Sequence, residues 1–360
     1  RYGGLIGVHS KVPIRDRAIL SLIYTPGVAE ACLAISQDAL TSFDLTCRGN
    51  TVAILTDGSD IFGREQGPAE SAIPIAEGKS VIFKTFAGID AFPICVNQRD
   101  PYELIRIGMG IAPTFGAICI DDMSAPRSFT VADHLEKALD IPVFNNQHHG
   151  TAALVLGGLY NALKVTGRDL ATSRIVVSGA GVAEVGVARL LKRAGGNNIV
   201  VCDRAGAIHT YRPERMNWAK AYVASETNRD HRQGSLEEML RGADVFIGLS
   251  TGGIVTQDMI RSMAHDPIVF ALAVPEPEIA PHLAREAGAR VIATGRSDYP
   301  NTMDVSLIFP GVFRGLLDSR ARNIRLRTLT AAARALADMV PDDELHADRI
   351  IPSIFDFRVA

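Results

Sequence analysis

The sequence has little excess charge of either sign. Its 360 residues include 37 lysines and arginines against 40 aspartates and glutamates, a formal net charge of -3 at pH 7. So small a net charge gives no long-range attraction to nucleic acid or to an anionic membrane, so any anion site has to be local. The charge balance therefore favours a small-molecule ligand over a nucleic-acid or membrane partner.

Cysteines and long apolar runs are also scarce. The five cysteines are odd in number, are not spaced as zinc ligands and lie mostly in apolar runs, which is typical of buried, reduced thiols in a cytoplasmic protein. We find neither a signal-peptide pattern nor an apolar stretch of about 18 residues free of polar interruptions. We therefore expect a cytoplasmic protein that is not inserted into a membrane.

What the sequence does contain is a regular alternation of strand-like and helical segments. Apolar residues make up 47% of the chain, and its length is sufficient for two domains. Between residues 51 and 146 the runs TVAILTDG, SVIFKTFAG, DAFPICVN, FGAICIDD and IPVFN predict strands. From residue 174 the runs RIVVSGAG, NNIVVCD, ADVFIGLS, PIVFALAVP and RVIATG alternate with helical segments. This pattern predicts an α/β protein whose second domain is a doubly wound parallel sheet of Rossmann type.

These patterns also predict the domain organisation. We expect an N-terminal catalytic domain over 1–150, a linking helix over 151–166 and a cofactor domain over 167–298. A C-terminal helical segment over 299–360, with a strongly amphipathic helix at 325–340, is expected to pack back on the cleft between the domains.

A glycine turn follows the first strand of the second domain. Gly179 and Gly181 precede a helix that opens with Val182 and Ala183, and in this context backbone amides can approach a pyrophosphate. The third glycine of the G-x-G-x-x-G pattern is replaced by Glu184, so the packing of the helix on the strand or the approach of the phosphates must differ. A doubly wound domain without a cofactor is the structural alternative.

An acidic residue at the end of the next strand indicates which dinucleotide is bound. Asp203 lies 24 residues after Gly179, where a carboxylate can bond the ribose hydroxyls and repel a 2′-phosphate. This favours NAD over NADP, although the adjacent Arg204 leaves NADP open. Ser250, which follows the run ADVFIGL, is a further candidate for cofactor binding.

Two polar stretches are candidates for the reaction site. Asp121 and Asp122 close the strand FGAICIDD, and paired carboxylates there can bind a hard cation such as Mg or Mn; alternatively they only end the strand and cap the next segment. The stretch FNNQHHG over 144–150 is dense in amides and imidazoles but has no carboxylate.

Several stretches together resemble the small bacterial malic enzymes. They are SKVPIRDRAILSLIYTPGVAEACLAI, TDGSDIFG, EGKSVIFKTFAGIDAFPICVN, FGAICIDDMSAPRSF, IPVFNNQHHGTAALVLGGLYNALK, GADVFIGLS, IVFALAVPEPEI and TGRSDYPN with FPGVFRG. They cover nearly the whole chain in the family's order. The resemblance implies oxidation of malate with NAD(P), decarboxylation of the bound oxaloacetate with a divalent metal, and a homodimer.

The resemblance also implies two catalytic roles. Tyr24 in YTPGVAE matches the family's general acid, and Lys79 in EGKSVIF matches the base that acts on the substrate hydroxyl. On residue type alone, Tyr24 is a turn aromatic and Lys79 a solvated loop charge. A desolvated lysine can have a lowered pKa and exchange a proton near neutrality, and the motif context favours the catalytic roles.

The metal positions depart from the family. Its turn reads F-[HN]-D-D-Q-H-G-T-A, and here the two acids are Asn146 and Gln147. Asn146 has no charge with which to tune Lys79, and Gln147 offers a metal only a neutral carbonyl. A Glu of the family is Asp121. The use of Mg or Mn therefore stays open; a set including His148 could suit Mn, Fe or Zn, but we expect no metal in preference to a rebuilt site.

The substrate positions depart as well. Val274, Asp304 and Val305 replace family asparagines that bind the substrate, and a fixed charge at Asp304 would repel a dicarboxylate. Arg64 is a new candidate carboxylate anchor or a solvated loop charge. We therefore expect an NAD-dependent oxidoreductase of malic enzyme type acting on a 2-hydroxy acid other than malate, with or without decarboxylation. A malate-decarboxylating enzyme with an adapted metal site and an inert nucleotide-binding paralogue are the alternatives.

Overall fold

The computed structural model describes residues 3–61, 67–356 and 358–359. The strands in these ranges are β1 (Thr51–Thr56), β2 (Asp90–Cys95), β3 (Ala117–Ile120), β4 (Val143–Asn145), β5 (Arg174–Ser178), β6 (Asn198–Asp203), β7 (Gly206–Ala207), β8 (Val245–Gly248), β9 (Ile268–Ala271) and β10 (Val291–Thr294). The α-helices are α1 (Arg17–Ile23), α2 (Val28–Gln37), α3 (Ser42–Leu45), α4 (Ile73–Ala87), α5 (Pro101–Ile111), α6 (Arg127–Ala138), α7 (Thr151–Thr166), α8 (Val182–Arg193), α9 (Trp218–Glu226), α10 (Leu236–Leu240), α11 (Gln257–Arg261), α12 (Pro281–Glu286), α13 (Phe309–Asp318) and α14 (Leu326–Asp338).

The first four strands form one parallel sheet in the order β2-β1-β3-β4. β1 is buried along its whole length, as the apolar run TVAILT predicts for a central strand covered on both faces. Because β1 lies between β2 and β3, the chain passes from β1 to the strand on one side and then crosses to the strand on the other side. A crevice therefore opens at the carboxyl ends of these strands.

One of the predicted strands is wrong. The run SVIFKTFAG lies in α4, whose buried residues Ala76, Ser80 and Phe83 recur at helical spacing. The helix ends at Gly88, which is in the left-handed conformation with a φ of 66°. A short apolar run does not separate a strand from a buried helix, and the helical periodicity of the wider segment decides the outcome.

The second sheet has the order β10-β9-β8-β5-β6-β7 and is parallel except for β7. All five strand predictions from residue 174 onward fall on its parallel strands, and the predicted Rossmann-type sheet is confirmed. β5 lies between β6 and β8, so a second crevice opens at its carboxyl end, where the glycine turn begins.

Helix α7 links the two sheets through one continuous core. It is buried along most of its length, and one cluster of buried side chains joins it to Ile54 of β1 and to Val177 of β5. The absence of a side chain at Gly157 leaves room for the backbone and side chains of α14. The domain boundaries expected from the sequence stay a prediction, because the core itself crosses them.

The N-terminal helices stand apart from this core. Neither α1 nor α2 has a buried residue, and Cys32 and Cys47 are exposed, contrary to the expectation of buried thiols, whereas Cys119 and Cys202 are buried. The segment Arg17–Gln37 is long and apolar enough to cross a membrane by length and composition alone, but a turn containing Pro26 divides it into two helices.

Asn161 ties α7 to the C-terminal segment, which leads to a test of the fold. Its side-chain amide is fully buried and donates to the carbonyls of Ala337 at 2.8 Å and Ile350 at 3.0 Å. Asn161→Ala should lower the free energy of unfolding by about 1–3 kcal/mol, because it removes the side-chain donor of the buried Ile350 carbonyl, whereas the Ala337 carbonyl keeps the amide of Val340. Urea denaturation measures the loss. The exposed Asn197→Ala is the control, and equal effects of the two changes would contradict this account.

Candidate active site

The carboxyl ends of the two sheets open onto one cavity of about 1830 Å³. Such crevices at topological switch points are where α/β proteins bind ligands. The cavity is lined by the catalytic, metal and substrate candidates Lys79, Asp121, Asp122, Asn146, Gln147, Val274, Asp304 and Val305, and by the cofactor candidates Gly179, Gly181, Val182, Ala183, Asp203, Arg204 and Ser250. The fold thus brings most of the predicted site residues together.

One described residue of the predicted site, Tyr24, is not among the lining residues. Tyr24 follows the last residue of α1 and is 68% exposed to solvent, so one chain does not place its hydroxyl in the cavity. Arg64 lies outside the described residues. The sequence motif identified Tyr24, but a motif carries no information about which surface the residue faces.

Lys79 is held between two carboxylates. It projects from α4, its side chain is only 16% exposed, and its ammonium pairs with Asp121 and, at 3.4 Å, with Asp122. Burial by itself lowers the pKa of Lys79, but the two negative charges more than offset it, and the pKa lies above its ordinary value. The expected lowering of this pKa is therefore wrong, because the aspartates stabilise the charged lysine more than burial destabilises it.

The two aspartates differ in their surroundings. Asp121 is buried, and its Oδ2 also accepts a hydrogen bond from Asn146 Nδ2 at 3.3 Å. Burial and the neighbouring charge of Asp121 raise the pKa of Asp122 to about 7. The pair and Lys79 therefore share protons as one cluster, with three ionisable groups close together in a poorly solvated place.

The turn 145–150 presents amide donors to these carboxylates. Gln147 Nε2 donates to Asp60 Oδ2 at 3.3 Å, in parallel with the contact from Asn146 to Asp121. The sequence analysis missed Asp60, a single acid in a loop that lies 87 residues from its partner. His148 is buried, which lowers its pKa to about 4, and its Nδ1 lies 3.2 Å from the Val182 carbonyl. It therefore acts as a neutral hydrogen-bonding group.

These residues do not fit a divalent cation as they are arranged. Among the residues that the structure describes, no three His, Cys, Asp or Glu side chains converge as a metal site. Asp121 and Asp122 bind the Lys79 ammonium, and the nearby amides of Asn146 and Gln147 point N–H donors at carboxylates. The local cation is thus the lysine, and hard divalent ions bind weakly where ligand charge is low.

On the substrate side of the cavity, Asp304 has a structural role in addition to the predicted one. Its carboxylate caps the following turn, accepting from Ser306 N at 2.9 Å and from the Ser306 hydroxyl. Asp304 also lines the cavity, and its expected role as a charge that repels a dicarboxylate stays a prediction. Val274 and Val305 line the cavity with methyl groups, which cannot donate to a substrate carboxylate.

In the glycine turn at the start of α8, a backbone amide already donates to a carboxylate of the same chain. Gly179 has a φ of 113°, a conformation that favours glycine. The Oε2 of Glu184 accepts from Gly181 N at 3.0 Å, and Glu184 is 5% exposed. Burial raises its pKa to about 7. Nearby, the hydroxyls of Ser250 and Ser178 lie 3.2 Å apart.

Asp203 is already bonded to two cations. Its carboxylate accepts from Arg212 at 2.5 and 2.8 Å and from Lys220 at 2.6 Å. Burial alone would raise the pKa of Asp203, but these bonds and that from Ala205 N outweigh it and hold the pKa well below the ordinary value. The sequence analysis predicted a carboxylate free to meet the ribose. The two basic partners, which lie nine and 17 residues further along the chain, had no motif to reveal them.

Comparisons with known proteins agree with this architecture. The family model described as "Malic enzyme, NAD binding domain" matches residues 148–360, and "Malic enzyme, N-terminal domain" matches residues 6–106. The chain belongs to the malic enzyme family. It is therefore an oxidoreductase of malic enzyme type with that family's NAD-binding domain.

Individual relatives are similar over almost the whole chain. The chain is 46% identical to the bifunctional malic/malolactic enzyme of Bacillus subtilis, over 99% of this chain and 87% of that one. It is 48% identical to the NAD-dependent malic enzyme of Geobacillus stearothermophilus, over 99% and 74%. The crystal structure of an NAD-dependent malic enzyme from Thermotoga maritima superposes with a TM-score of 0.95 at 40% identity, covering 99% of this chain and 94% of that one.

The poor fit of the site to a divalent cation can be tested by adding carboxylates to the turn 145–150. The double change Asn146→Asp and Gln147→Asp should create a site that Mn²⁺ stabilises by about 2.7 kcal/mol at 100 times its dissociation constant, whereas the unmodified protein should gain almost nothing. Thermal unfolding with and without Mn²⁺ measures both. Asn197→Asp with Asn198→Asp adds the same charge on the exposed surface as the control. Strong stabilisation of the unmodified protein by Mn²⁺ would show that the site accepts a metal as it stands.

Proposed function

We propose that the protein catalyses the NAD-dependent oxidation of a 2-hydroxy acid that is related to malate but carries less negative charge. The observation that carries this proposal is the Lys79 ammonium bonded to Asp121 and Asp122, in the place where the family resemblance implies metal ligands. A lysine in that place can orient a hydroxyl and a carboxylate, whereas it leaves little room for a divalent ion.

Different residues of the cavity have different roles in such a reaction. Lys79 donates to the substrate hydroxyl or carboxylate, and its cluster with Asp121 and Asp122 takes the hydroxyl proton as the carbonyl forms. Asn146 lines the cavity, and its buried Oδ1 has no hydrogen-bond partner within the described ranges, so this oxygen is the unused acceptor nearest to the cluster that the turn provides. NAD supplies the hydride acceptor when it is bound.

The charge of the cavity supports a substrate that is less acidic than malate. Asp121 and Asp122 place two carboxylates on one ammonium, and the charge of Asp60 also acts on Asp122. A dicarboxylate would add two further negative charges, while Val274 and Val305 offer it no donors. A monocarboxylic 2-hydroxy acid, with an apolar or basic group in place of the second carboxylate, avoids both penalties.

Oxidative decarboxylation of malate is the second candidate. The relatives at 46% and 48% identity are named as malic enzymes, one of them as bifunctional malic/malolactic. Such identity over nearly the full chain favours retention of the relatives' substrate. The two candidates differ in their expected metal dependence, because decarboxylation without a metal lacks a Lewis acid to stabilise the enolate.

The surroundings of Asp203, the residue predicted to bind the ribose, are consistent with NAD but include basic groups as well. A carboxylate has about four acceptor positions, and at Asp203 four bonds from Arg212, Lys220 and the Ala205 amide already use them, so a ribose hydroxyl has to displace one of these bonds. Arg212 and Lys220 neutralise it, however, so its repulsion of a 2′-phosphate is weakened. We propose NAD as the preferred dinucleotide, with a smaller preference over NADP than an unpaired carboxylate would give.

A substrate panel tests the proposed activity. NAD reduction is followed with malate, lactate, glycerate and other 2-hydroxy acids, in EDTA and in Mn²⁺. We expect metal-independent turnover of a monocarboxylic substrate, reduced by about 10²–10⁴ in Lys79→Met through loss of proton transfer. Lys84→Met, on the same helix and paired only with Asp90 in an exposed contact, is the control and should be unaffected.

Two results would overturn this proposal in favour of its rivals. Robust turnover of malate that requires Mn²⁺ would establish the second candidate. If no hydroxy acid is oxidised in either condition while NAD still binds, the inert nucleotide-binding paralogue is the correct description.

We also propose that the protein is a homodimer in which Tyr24 serves the partner's cavity. The N-terminal segment, which includes α1 and α2, exposes large apolar side chains, among them Leu5, Ile14, Leu20, Leu22, Tyr24 and Leu33. So large an apolar surface marks an interface. Because Tyr24 is outside its own cavity, a second copy packed on these helices is the way to bring its hydroxyl to Lys79. A two-fold dimer would then contain two shared sites.

Mixing two inactive variants tests the shared site. Where the unmodified protein decarboxylates its substrate, Tyr24→Phe and Lys79→Met are each expected to be inactive in that reaction. Re-associated mixtures should regain roughly a quarter of the original activity, because half of the dimers are mixed and each has one intact site. Activity is measured after dissociation and re-association, and dimerisation by sedimentation. No recovery from a mixture shown to form mixed dimers would place Tyr24 in its own chain's site.

A further inference from the structure

We propose that the Glu184 carboxylate occupies the position of the dinucleotide pyrophosphate, and that NAD binds only when this carboxylate takes up a proton. The inference rests on the proposed NAD-dependent function and adds a regulatory device to the same site. Glu184 stands at the third residue of α8, where the dinucleotide-binding pattern has its last glycine.

The contacts of Glu184 place its carboxylate within the glycine turn. Oε2 accepts from Gly181 N at 3.0 Å, and the side chain lines the cavity although the residue is only 5% exposed. A Cβ at Gly179 would find its space filled by the Glu184 carboxyl. The turn that would receive a phosphate is thus already closed on an anion of the same chain.

An ionised Glu184 and a bound pyrophosphate are incompatible in this place. The free amides at the N-terminus of α8 and of the turn are the groups that bind phosphate oxygens, and Glu184 takes the amide of Gly181 for itself. A pyrophosphate would bring two negative charges within a few ångströms of the carboxylate, where the low dielectric strengthens the repulsion. Once protonated, the carboxyl keeps an acceptor for Gly181 and offers its O–H to a phosphate oxygen.

Among the described residues, the groups that act on Glu184 give it no positive counter-charge. Glu278 and Asp60 are both acidic, and both raise its pKa further. On the turn that packs against α8, burial lowers the pKa of His148 to about 4 and that of His149 well below its ordinary value. Both imidazoles are therefore neutral at pH 7.

Two cations on α8 and α9 are engaged in other contacts. Arg189, on α8 itself, lies over the ring of Tyr222 on α9. Lys220, also on α9, pairs with Asp203. Proton uptake is therefore the means by which the site loses the Glu184 charge.

The direction of the pH dependence follows from these contacts. Burial, more than the neighbouring charges, raises the pKa of Glu184 to about 7 in the unliganded protein, so the binding-competent, protonated form dominates below pH 7 and is the minor form above it. The apparent dissociation constant scales inversely with the competent fraction. Binding should therefore be about tenfold tighter at pH 6 than at pH 8.

Binding of ADP-ribose at several pH values tests the proposal. ADP-ribose carries the pyrophosphate but lacks the nicotinamide, so it avoids the titrating cluster around Lys79. Calorimetry in two buffers of different ionisation enthalpy should find close to one proton taken up per ligand bound at pH 8, and the dissociation constant should fall about tenfold from pH 8 to pH 6. NADH fluorescence at the same pH values reports binding of the whole dinucleotide.

Variants separate Glu184 from other titrating groups. Glu184→Gln should bind ADP-ribose at pH 8 about tenfold more tightly than the unmodified protein, with little dependence on pH. Glu184→Gly, which restores the motif glycine, should do the same. Glu136→Gln is the control, because it removes another partly buried carboxyl with a raised pKa that is not among the cavity-lining residues. Its dissociation constant for ADP-ribose should depend on pH as that of the unmodified protein does.

The outcomes distinguish this proposal from the proposed function. ADP-ribose that binds without proton uptake, or with the same pH slope in the Glu184 variants, overturns the role of Glu184 and leaves NAD use intact. If neither variant folds, the proton count of the unmodified protein alone decides. Failure of the unmodified protein to bind ADP-ribose and NADH at any pH would overturn NAD use itself, and the role of Glu184 with it.

Discussion

The buried helix α7 fixes the distance between the two sheets, and the site depends on that distance. Its residues join one core that reaches β1 of the first sheet and β5 of the second. Helices and strands in a close-packed core shift little without creating cavities. The carboxyl ends of the two sheets therefore face each other across one cavity, in which Lys79, Asp121 and the glycine turn are brought together from distant parts of the chain.

The turn 145–150, which has no carboxylate, provides hydrogen-bond donors to nearby acids. Asn146 and Gln147 donate to Asp121 and Asp60, so amides satisfy part of the bonding capacity of these acids. The turn packs closely on α8, since Gly186 leaves room for the His148 carbonyl. This packing holds the two amides where they reach the carboxylates.

The parts of the fold that the sequence predicted best are those set by local patterns. The five parallel strands of the second sheet are β-branched runs bounded by turn residues, and the amphipathic α14 follows from helical spacing. The strand predicted at SVIFKTFAG is wrong because a short apolar run fits the period of a strand as well as that of a helix. The raised pKa of Lys79, the cap made by Asp304 and the part played by Asp60 depend on distances across the chain, which no local pattern records. The exposure of Tyr24 likewise depends on tertiary packing.

Three charged positions in the cavity are each satisfied by partners from the chain itself. Lys79 stands between Asp121 and Asp122, Arg212 and Lys220 neutralise Asp203, and the amide of Gly181 donates to Glu184. Because a ligand must compete with these internal partners, affinity depends on how readily each partner is displaced or neutralised, and not only on the contacts the ligand gains. The ammonium of Lys79 and the carboxylate of Glu184 thus have partners within the chain in the absence of a ligand. The same arrangement selects ligands that can replace those partners without leaving a buried charge unpaired.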